Sequence, residues 1–507
     1  MPSYLHPGVY MEEIPSGARP IESAGTSTAA IIGLATKGST GEPVLIFSWK
    51  EYEEQFGGIM RCKSPKVDCM GHSVRAFFDN GGGKAYIVPV RGAPAGDAAS
   101  VIVESSVSPK KKIKVSAITD GEWSNDIEVK LEEPATGRFK VIVGKTVSGT
   151  LETYETFDVS FAETDSNYIT NVINGSSNYI NIDEVNPTAS ASTNTKLKGG
   201  KDWTKSSTAA DYQPAFDALR KHRDVNIILV PDHQLENPAG ASSTIIQMAV
   251  AHAQSMGTCM VIIDPPGGQN KSSDELETAA QVAGLSAPTS EYTSMYYPWV
   301  EVSNPYYHAE LRSHLRKSYL VPPSGFAAGL WARTDGKRGV WKAPAGLGAT
   351  LNGALRTEFI VGDDQQDQLN PEGVNCIRKI LSAPVIWGAR TLATRAVPEK
   401  RYVPVQRTTL MIKESIYQGI QWAVFEPNDH NLWASLRLNI EAFMDGLHRA
   451  GAFQGEKASD AYFVRCGLGQ TMTQGDIDAG RVIVEVGFAP LKPAEFVIVR
   501  LSQKTAQ

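Results

Sequence analysis

Four short apolar runs constrain the fold of this chain more than any other feature: "AAIIGL" (29–34), "KAYIVPV" (84–90), "VNIILVPD" (225–232) and "CMVIID" (259–264). Each is too short for a stable helix, shows little polar alternation, and is bounded by Gly, Ser, Thr or Pro. That is the pattern of a strand buried on both faces. Helical stretches lie between them. "WKEYEEQFGG" has Ser48 as N-cap and Gly57 as stop. "GHSVRAFFDN" (71–80) puts Val74, Phe77 and Phe78 on one face, and "PAFDALRKH", 243–256 and 274–283 follow. "PVLIF" (43–47) adds a strand, and "SMYYPWVEV" (294–302) another, with Pro298 demoting it to an edge or a bulge. Strand alternating with helix predicts a layered α/β core of doubly wound type.

That rhythm is broken between about 91 and 200. Here Ser, Thr, Asn, Val and Glu dominate, and "KIKVSAI", "DIEVKLEE" and "YETFDVSF" alternate with period two between frequent turns. A β-rich domain inserted into the α/β core is expected. A third texture begins near Gln365: a strand around Val385–Trp387, then a helix over about 409–424 and another over 431–447. Two strands, "DAGRVIVEVGFAP" and "PAEFVIVRLSQ", follow. The expected division is an N-terminal arm and linker (1–28), a discontinuous α/β core (29–90 and 201–360), an inserted β domain (91–200), an α+β domain (361–493) and a C-terminal strand arm (494–507).

No catalytic constellation stands out. "GGGK" (81–84) has only the tail of a phosphate loop, with Phe78 where the first Gly belongs and Ala85 where Ser or Thr must hold the metal. "GLGATL" (346–351) lacks the third Gly of a dinucleotide fingerprint. Asp264 ends a parallel strand, where such folds place functional carboxylates, but no second acidic or His motif supports it. His308 and His314 have no partner motif, and Cys62 and Cys69 have no second pair for a zinc site. Cys259, Cys376 and Cys466 complete an odd, scattered set that fits reduced thiols. A net charge of −6, with "KKK" at 110–112 the densest basic spot, argues against nucleic acid as a partner. No run approaches the roughly 20 apolar residues of a membrane span. The start lacks the charged and apolar regions of a signal peptide, so synthesis in the cytoplasm is expected. No catalytic residue, cofactor or metal is expected.

Both ends of the chain read as strands without a core. Val9, Tyr10, Met11, Glu12, Glu13 and Ile14 form an extended run between prolines. Phe496, Val497, Ile498, Val499, Arg500 and Leu501 form a terminal apolar run that invites aggregation if left as a bare edge. Each needs a partner sheet, in its own chain or in another. The Pro- and Gly-punctuated link from Pro15 to Thr28 contains Pro15, Gly17 and Pro20 as hinge candidates, and Pro493 plays that part before the last run. About fourteen extended residues span ~45 Å at ~3.3 Å each.

The stretch "VPPSGFAAGLWARTDGKRGVWKAPAG" (321–346), with its "PPSG" turn, "RTD" and "GVWKAPA", resembles the tail sheath family of contractile phage tails and related injection systems. The likeness extends to "PGVYMEEIPSGARPI", "GTSTAAIIGLA", "GEWSNDI", "IRKILSAPVIWGARTLA", "RYVPVQR" and "GIQWAVFEPND", and is weakest in the inserted region. The resemblance implies a structural, non-enzymatic subunit that stacks as hexameric rings around an inner tube and contracts to drive it through a cell envelope. It implies strand arms exchanged between subunits, with partners that include the tube, baseplate and terminal cap proteins, in a phage tail or a released tail-like particle. It also implies an inner C-terminal domain, on whose helices Lys413 and Arg437 are tube-facing candidates. A receptor- or glycan-binding role for the inserted domain and a nucleotide-dependent enzyme are the competing readings.

Overall fold

A computed structural model describes residues 20–59, 68–91, 96–105, 110–135, 137–147, 150–174, 176–191, 195–201, 208–234, 241–265, 290–305, 307, 317–380, 383–393, 397–496 and 498. The apolar runs do become a sheet. Its eight strands lie in the order Ala383–Ile386, Val374–Ile380, Thr293–Tyr297, Met260–Ile263, Ile227–Leu229, Ala29–Gly33, Ala85–Pro89 and Val44–Ile46. The inner six are parallel, and the two edge strands are antiparallel to their neighbours. Alternate residues feed opposite cores. Ala29, Ile31, Ile227 and Leu229 pack with Tyr52, Phe77 and Trp331. Ala30, Ile32, Ile228 and Val230 pack with Tyr212, Phe216 and Ile246 on the other face. Burial on both faces is why these strands carry no polar alternation.

Helices Trp49–Phe56, Cys69–Asp79 and Ser324–Arg338 supply the first core; Ala209–Leu219 and Ala241–Met256 supply the second. Ser48 accepts from the Glu51 amide and Gly57 closes the same helix at φ 86°, both as its sequence predicts. The "PPSG" segment is not a free turn, because the helix begins at Ser324. A Cβ on Gly325 would lie 2.4 Å from the Ser73 carbonyl oxygen, and one on Gly329 2.5 Å from that of Phe77. Two glycines one turn apart therefore let this helix lie against the backbone of Cys69–Asp79. The run at 294–302 divides into Thr293–Tyr297 in the main sheet and Val300–Ser303 in a separate three-stranded sheet. The segment 274–283 lies outside the described residues.

Residues 361–410 differ from expectation. They contribute Val374–Ile380 and Ala383–Ile386 to the main sheet rather than to the C-terminal domain. Val374, Cys376, Ile377 and Ile386 are buried there, and the long separation from the other strands hides the pairing from any local pattern. The insertion folds as two three-stranded antiparallel sheets around one core that includes Val115, Val129, Val141, Ile169 and Ile180. Asp97 and Lys201 are bridged where it begins and ends. Arg91 pairs with Asp120 and donates to the Gly38 carbonyl at 2.7 Å, while the buried Lys37 ammonium sits 4.2 Å from the Tyr179 ring. These contacts hold the insertion to the core.

Two compact units result: Gly25–Leu410 with Lys492–Gln507, and Met1–Ala24 with Met411–Leu491. The helix expected over 409–424 runs from Val403 to Gly419, with Pro404 tolerated in its first turn. In the second unit, helix His430–Arg449 is capped by Asp429, which accepts from the Asn431 and Leu432 amides. Leu432, Trp433 and Leu436 on that helix pack with Cys466, Met472 and Val482. Strands Tyr462–Arg465 and Glu485–Phe488 form an antiparallel pair. Of the last expected strand only Phe496 and Ile498 are described, and these, like Ala494 and Glu495 before them, carry no strand structure; Val497, Val499, Arg500 and Leu501 lie outside the described residues.

Candidate functional site

In doubly wound sheets ligands bind beyond the carboxyl ends of the strands, where the strand order reverses. Here that point lies between Ala29–Gly33 and Ile227–Leu229, and the chain's own groups occupy it. The Asp232 carboxylate, 3% exposed, accepts from the Leu34 amide at 2.7 Å. A Cβ on Gly33 would fall 2.3 Å from that carboxylate. Asp264, at the end of the next strand, accepts from the Ser324 amide at 2.8 Å, and burial pushes its carboxyl up to about 7. Both carboxylates are thus committed to backbone amides of this fold.

The other chemical candidates are placed as follows. Lys84 of "GGGK" pairs with Asp224 at 2.6 Å, and "GLGATL" is a turn in which the Ala349 amide donates to the Gly346 carbonyl. Cys69, Cys259, Cys376 and Cys466 are buried thiols, and burial raises Cys259 and Cys376 to about 12. Cys62, His308 and His314 lie outside the described residues. Among the described residues no group of three or more His, Cys, Asp or Glu is arranged to hold a metal, and no helix is long and apolar enough to cross a membrane.

What the described residues do offer is sheet edge. Among the described residues, Tyr462–Arg465 and Glu485–Phe488 have no strand partner but each other, so each presents an outer row of backbone donors and acceptors to the rest of the described fold. Helix His430–Arg449 packs against Tyr462–Arg465. The Phe463 ring lies across its partner Gly487, where a Cβ would meet it at 2.3 Å. A two-stranded ribbon is marginal by itself, and added strands would complete it.

The segments leading to the two termini are held at their roots. Ile21 is 8% exposed and packs on Gly419, and the Ala24 amide donates to Ser415 Oγ at 2.8 Å. In the other unit, Arg407 grips Asp335 through Nη1 at 2.8 Å and Nη2 at 2.6 Å and donates to the Thr26 carbonyl at 2.7 Å. Thr26 Oγ1 donates to Asp335 at 2.6 Å, and the guanidinium stacks over Trp331. Residues 21–28 are therefore not free linker. Val9, Tyr10, Met11, Glu12, Glu13, Ile14, Pro15 and Gly17 lie outside the described residues, and Pro20 is exposed just before the first packed residue. Pro493 is half-buried, and Phe496 and Ile498 are exposed. Lys413 is exposed on its helix; Arg437 is half-buried and donates to the Cys466 carbonyl. Sequence reasoning missed Asp335 and Arg407 as partners, although both fall inside the stretches "RTD" and "RYVPVQR" that carry the family likeness.

Comparison with known proteins matches this arrangement. The phage tail sheath central domain model covers residues 205–392, and the phage tail sheath C-terminal domain model covers 397–504. The tail sheath protein of Burkholderia phage BcepMu is 27% identical over 490 residues, 90% of this chain and 89% of that protein. The Enterobacteria phage T4 tail sheath protein is 26% identical over 266 residues, half of this chain but only 40% of the relative. The contracted helical sheath of the anti-feeding prophage shares the fold: its TM-score is 0.59 at 24% identity, with 99% of this chain and 100% of that one covered. With its α/β core, its small C-terminal unit and these matches over most of its length, the chain belongs to the phage tail sheath family.

Proposed function

We propose that this sheath subunit polymerises as stacked hexameric rings around an inner tube and contracts to drive that tube through a cell envelope. Neighbouring subunits are joined by exchanged terminal strands. The observation that carries the proposal is the two-stranded sheet Tyr462–Arg465 and Glu485–Phe488, whose outer edges have no strand partner among the described residues. Residues 9–14 of one neighbour and 496–501 of another have the β-branched and aromatic composition to add to it, with backbone hydrogen bonds making the joint. Such head-to-tail contacts are heterologous and build open helical assemblies. Because Ile21 is packed, the N-terminal tether is residues 15–20 rather than 15–28. Six extended residues reach ~20 Å at ~3.3 Å each, which limits the acceptor to a sheet close to Pro20, and the proposed strand exchange assigns it to an adjacent subunit.

Contraction then rotates rigid bodies about Pro15, Gly17, Pro20 and Pro493 while the strand joints stay closed. Each extra 100 Å² of apolar contact in the contracted state is worth ~2.5 kcal/mol, multiplied along the tube. Lys413 is the better placed of the tube-facing candidates, since Arg437 already serves Cys466. Baseplate and terminal cap proteins would complete the particle. The chain with residues 1–20 deleted tests the joint: ordinary circular dichroism without tubes in the electron microscope is expected. Tubes of normal length and contractility would refute strand exchange.

A further inference from the structure

We propose that the Arg390–Glu495–Tyr402 cluster is the mechanical anchorage of the C-terminal arm, where tension on that arm enters the core sheet. This rests on the reading above that the arm joins a neighbouring subunit. Glu495 lies in a stretch without secondary structure, between exposed Ala494 and exposed Phe496, yet it is held by three donor atoms of two side chains. Arg390 Nε donates to one carboxylate oxygen at 2.9 Å and Nη2 to the other at 2.5 Å, while the Tyr402 hydroxyl donates at 3.1 Å. The third guanidinium nitrogen, Nη1, is fixed on the Asn370 carbonyl at 2.8 Å. A bidentate, charge-assisted pair with both side chains mostly buried is a strong non-covalent tether for an irregular segment.

The other end of the tether is built into the sheet. The Arg390 amide donates to Asn375 Oδ1 at 2.6 Å, and its carbonyl accepts from Asn375 Nδ2 at 2.8 Å and Ser294 Oγ at 3.1 Å. Asn375 and Ser294 belong to the adjacent parallel strands Val374–Ile380 and Thr293–Tyr297. A pull on residues beyond Glu495 is thus taken by two inner strands of the sheet through side chains. It does not reach the Glu485–Phe488 strand upstream, which must stay paired for the exchanged strands to hold.

The test compares tubes assembled from wild type, Glu495→Gln, Tyr402→Phe and the exchanged pair Arg390→Glu/Glu495→Arg, sheared at fixed rate and sized by electron microscopy. Glu495→Gln is expected to assemble, and its sheared tubes to be at least threefold shorter than wild type. Tyr402→Phe should be intermediate, and the exchanged pair should recover at least half of the lost length. Wild-type length after shear for Glu495→Gln, or a folded Glu495→Gln chain that does not assemble, would overturn the anchorage. Should Glu495→Gln fail to fold, Tyr402→Phe decides, and wild-type length there overturns it. Wild-type protein that makes no tubes would instead refute the sheath reading.

Discussion

Replacing Asp335 by Ala removes the partner of a guanidinium whose side chain is only 5% exposed. Arg407 then keeps the Thr26 carbonyl and the Trp331 face but loses two charge-assisted bonds at 2.8 and 2.6 Å. Charges about 4 Å apart at an effective dielectric near 20 attract by ~4 kcal/mol. Stranding one member of a buried pair costs ~3–5 kcal/mol in general. The Thr26 hydroxyl also loses its acceptor, for ~1 kcal/mol more. Asp335→Ala should therefore destabilise the larger unit by about 4–6 kcal/mol, a sizeable share of the 5–15 kcal/mol of a typical domain. Urea unfolding followed by tryptophan fluorescence reads this, since Trp331 lies under the guanidinium. The control is Asp335→Leu with Arg407→Met, which leaves no stranded charge and should fall within ~2 kcal/mol of wild type. A cost below 1 kcal/mol for Asp335→Ala, or an equal cost for the double variant, would refute the reasoning.

Asp264 gives a pH dependence of defined sign. Its carboxyl stays protonated in the fold up to about 7 but ionises near 3.9 when unfolded, so stability falls as pH rises through that window. About three units correspond to ~4 kcal/mol at pH 8. Asp264→Asn keeps an acceptor for the Ser324 amide, so it should match wild type near pH 4 and exceed it at pH 8; a pH-independent difference in melting temperature would contradict this. Gly325→Ala places a Cβ against the Ser73 backbone and should cost ~1–3 kcal/mol. Gly336→Ala, on the same helix with open space around it, should gain up to ~1 kcal/mol, and equal effects in denaturant melts would contradict the packing account.

The parallel strands were legible because burial on both faces writes an unbroken apolar run, and Ser48 and Gly57 mark a helix by local chemistry alone. The insertion was legible from its change of period. What stayed hidden is non-local. Arg390 and Glu495 are 105 residues apart, and Arg407 and Asp335 are 72 apart, so no spacing rule connects them. Residues 21–28 read as a linker because they are small and polar, but Gly419 and Ser415 leave room for them on a helix, and that packing shortened the tether. The main-sheet place of Val374–Ile380 likewise depends on which distant strand it meets.

Strand exchange is tested most directly by a density map of assembled tubes at side-chain resolution, traced from residue 20 towards residue 9. Residues 9–14 are expected as a strand beside Tyr462–Arg465 or Glu485–Phe488 of a neighbouring subunit, in both extended and contracted tubes. The same strand seated on its own chain, or absent from every such sheet, would contradict the claim that exchanged arms hold this sheath together.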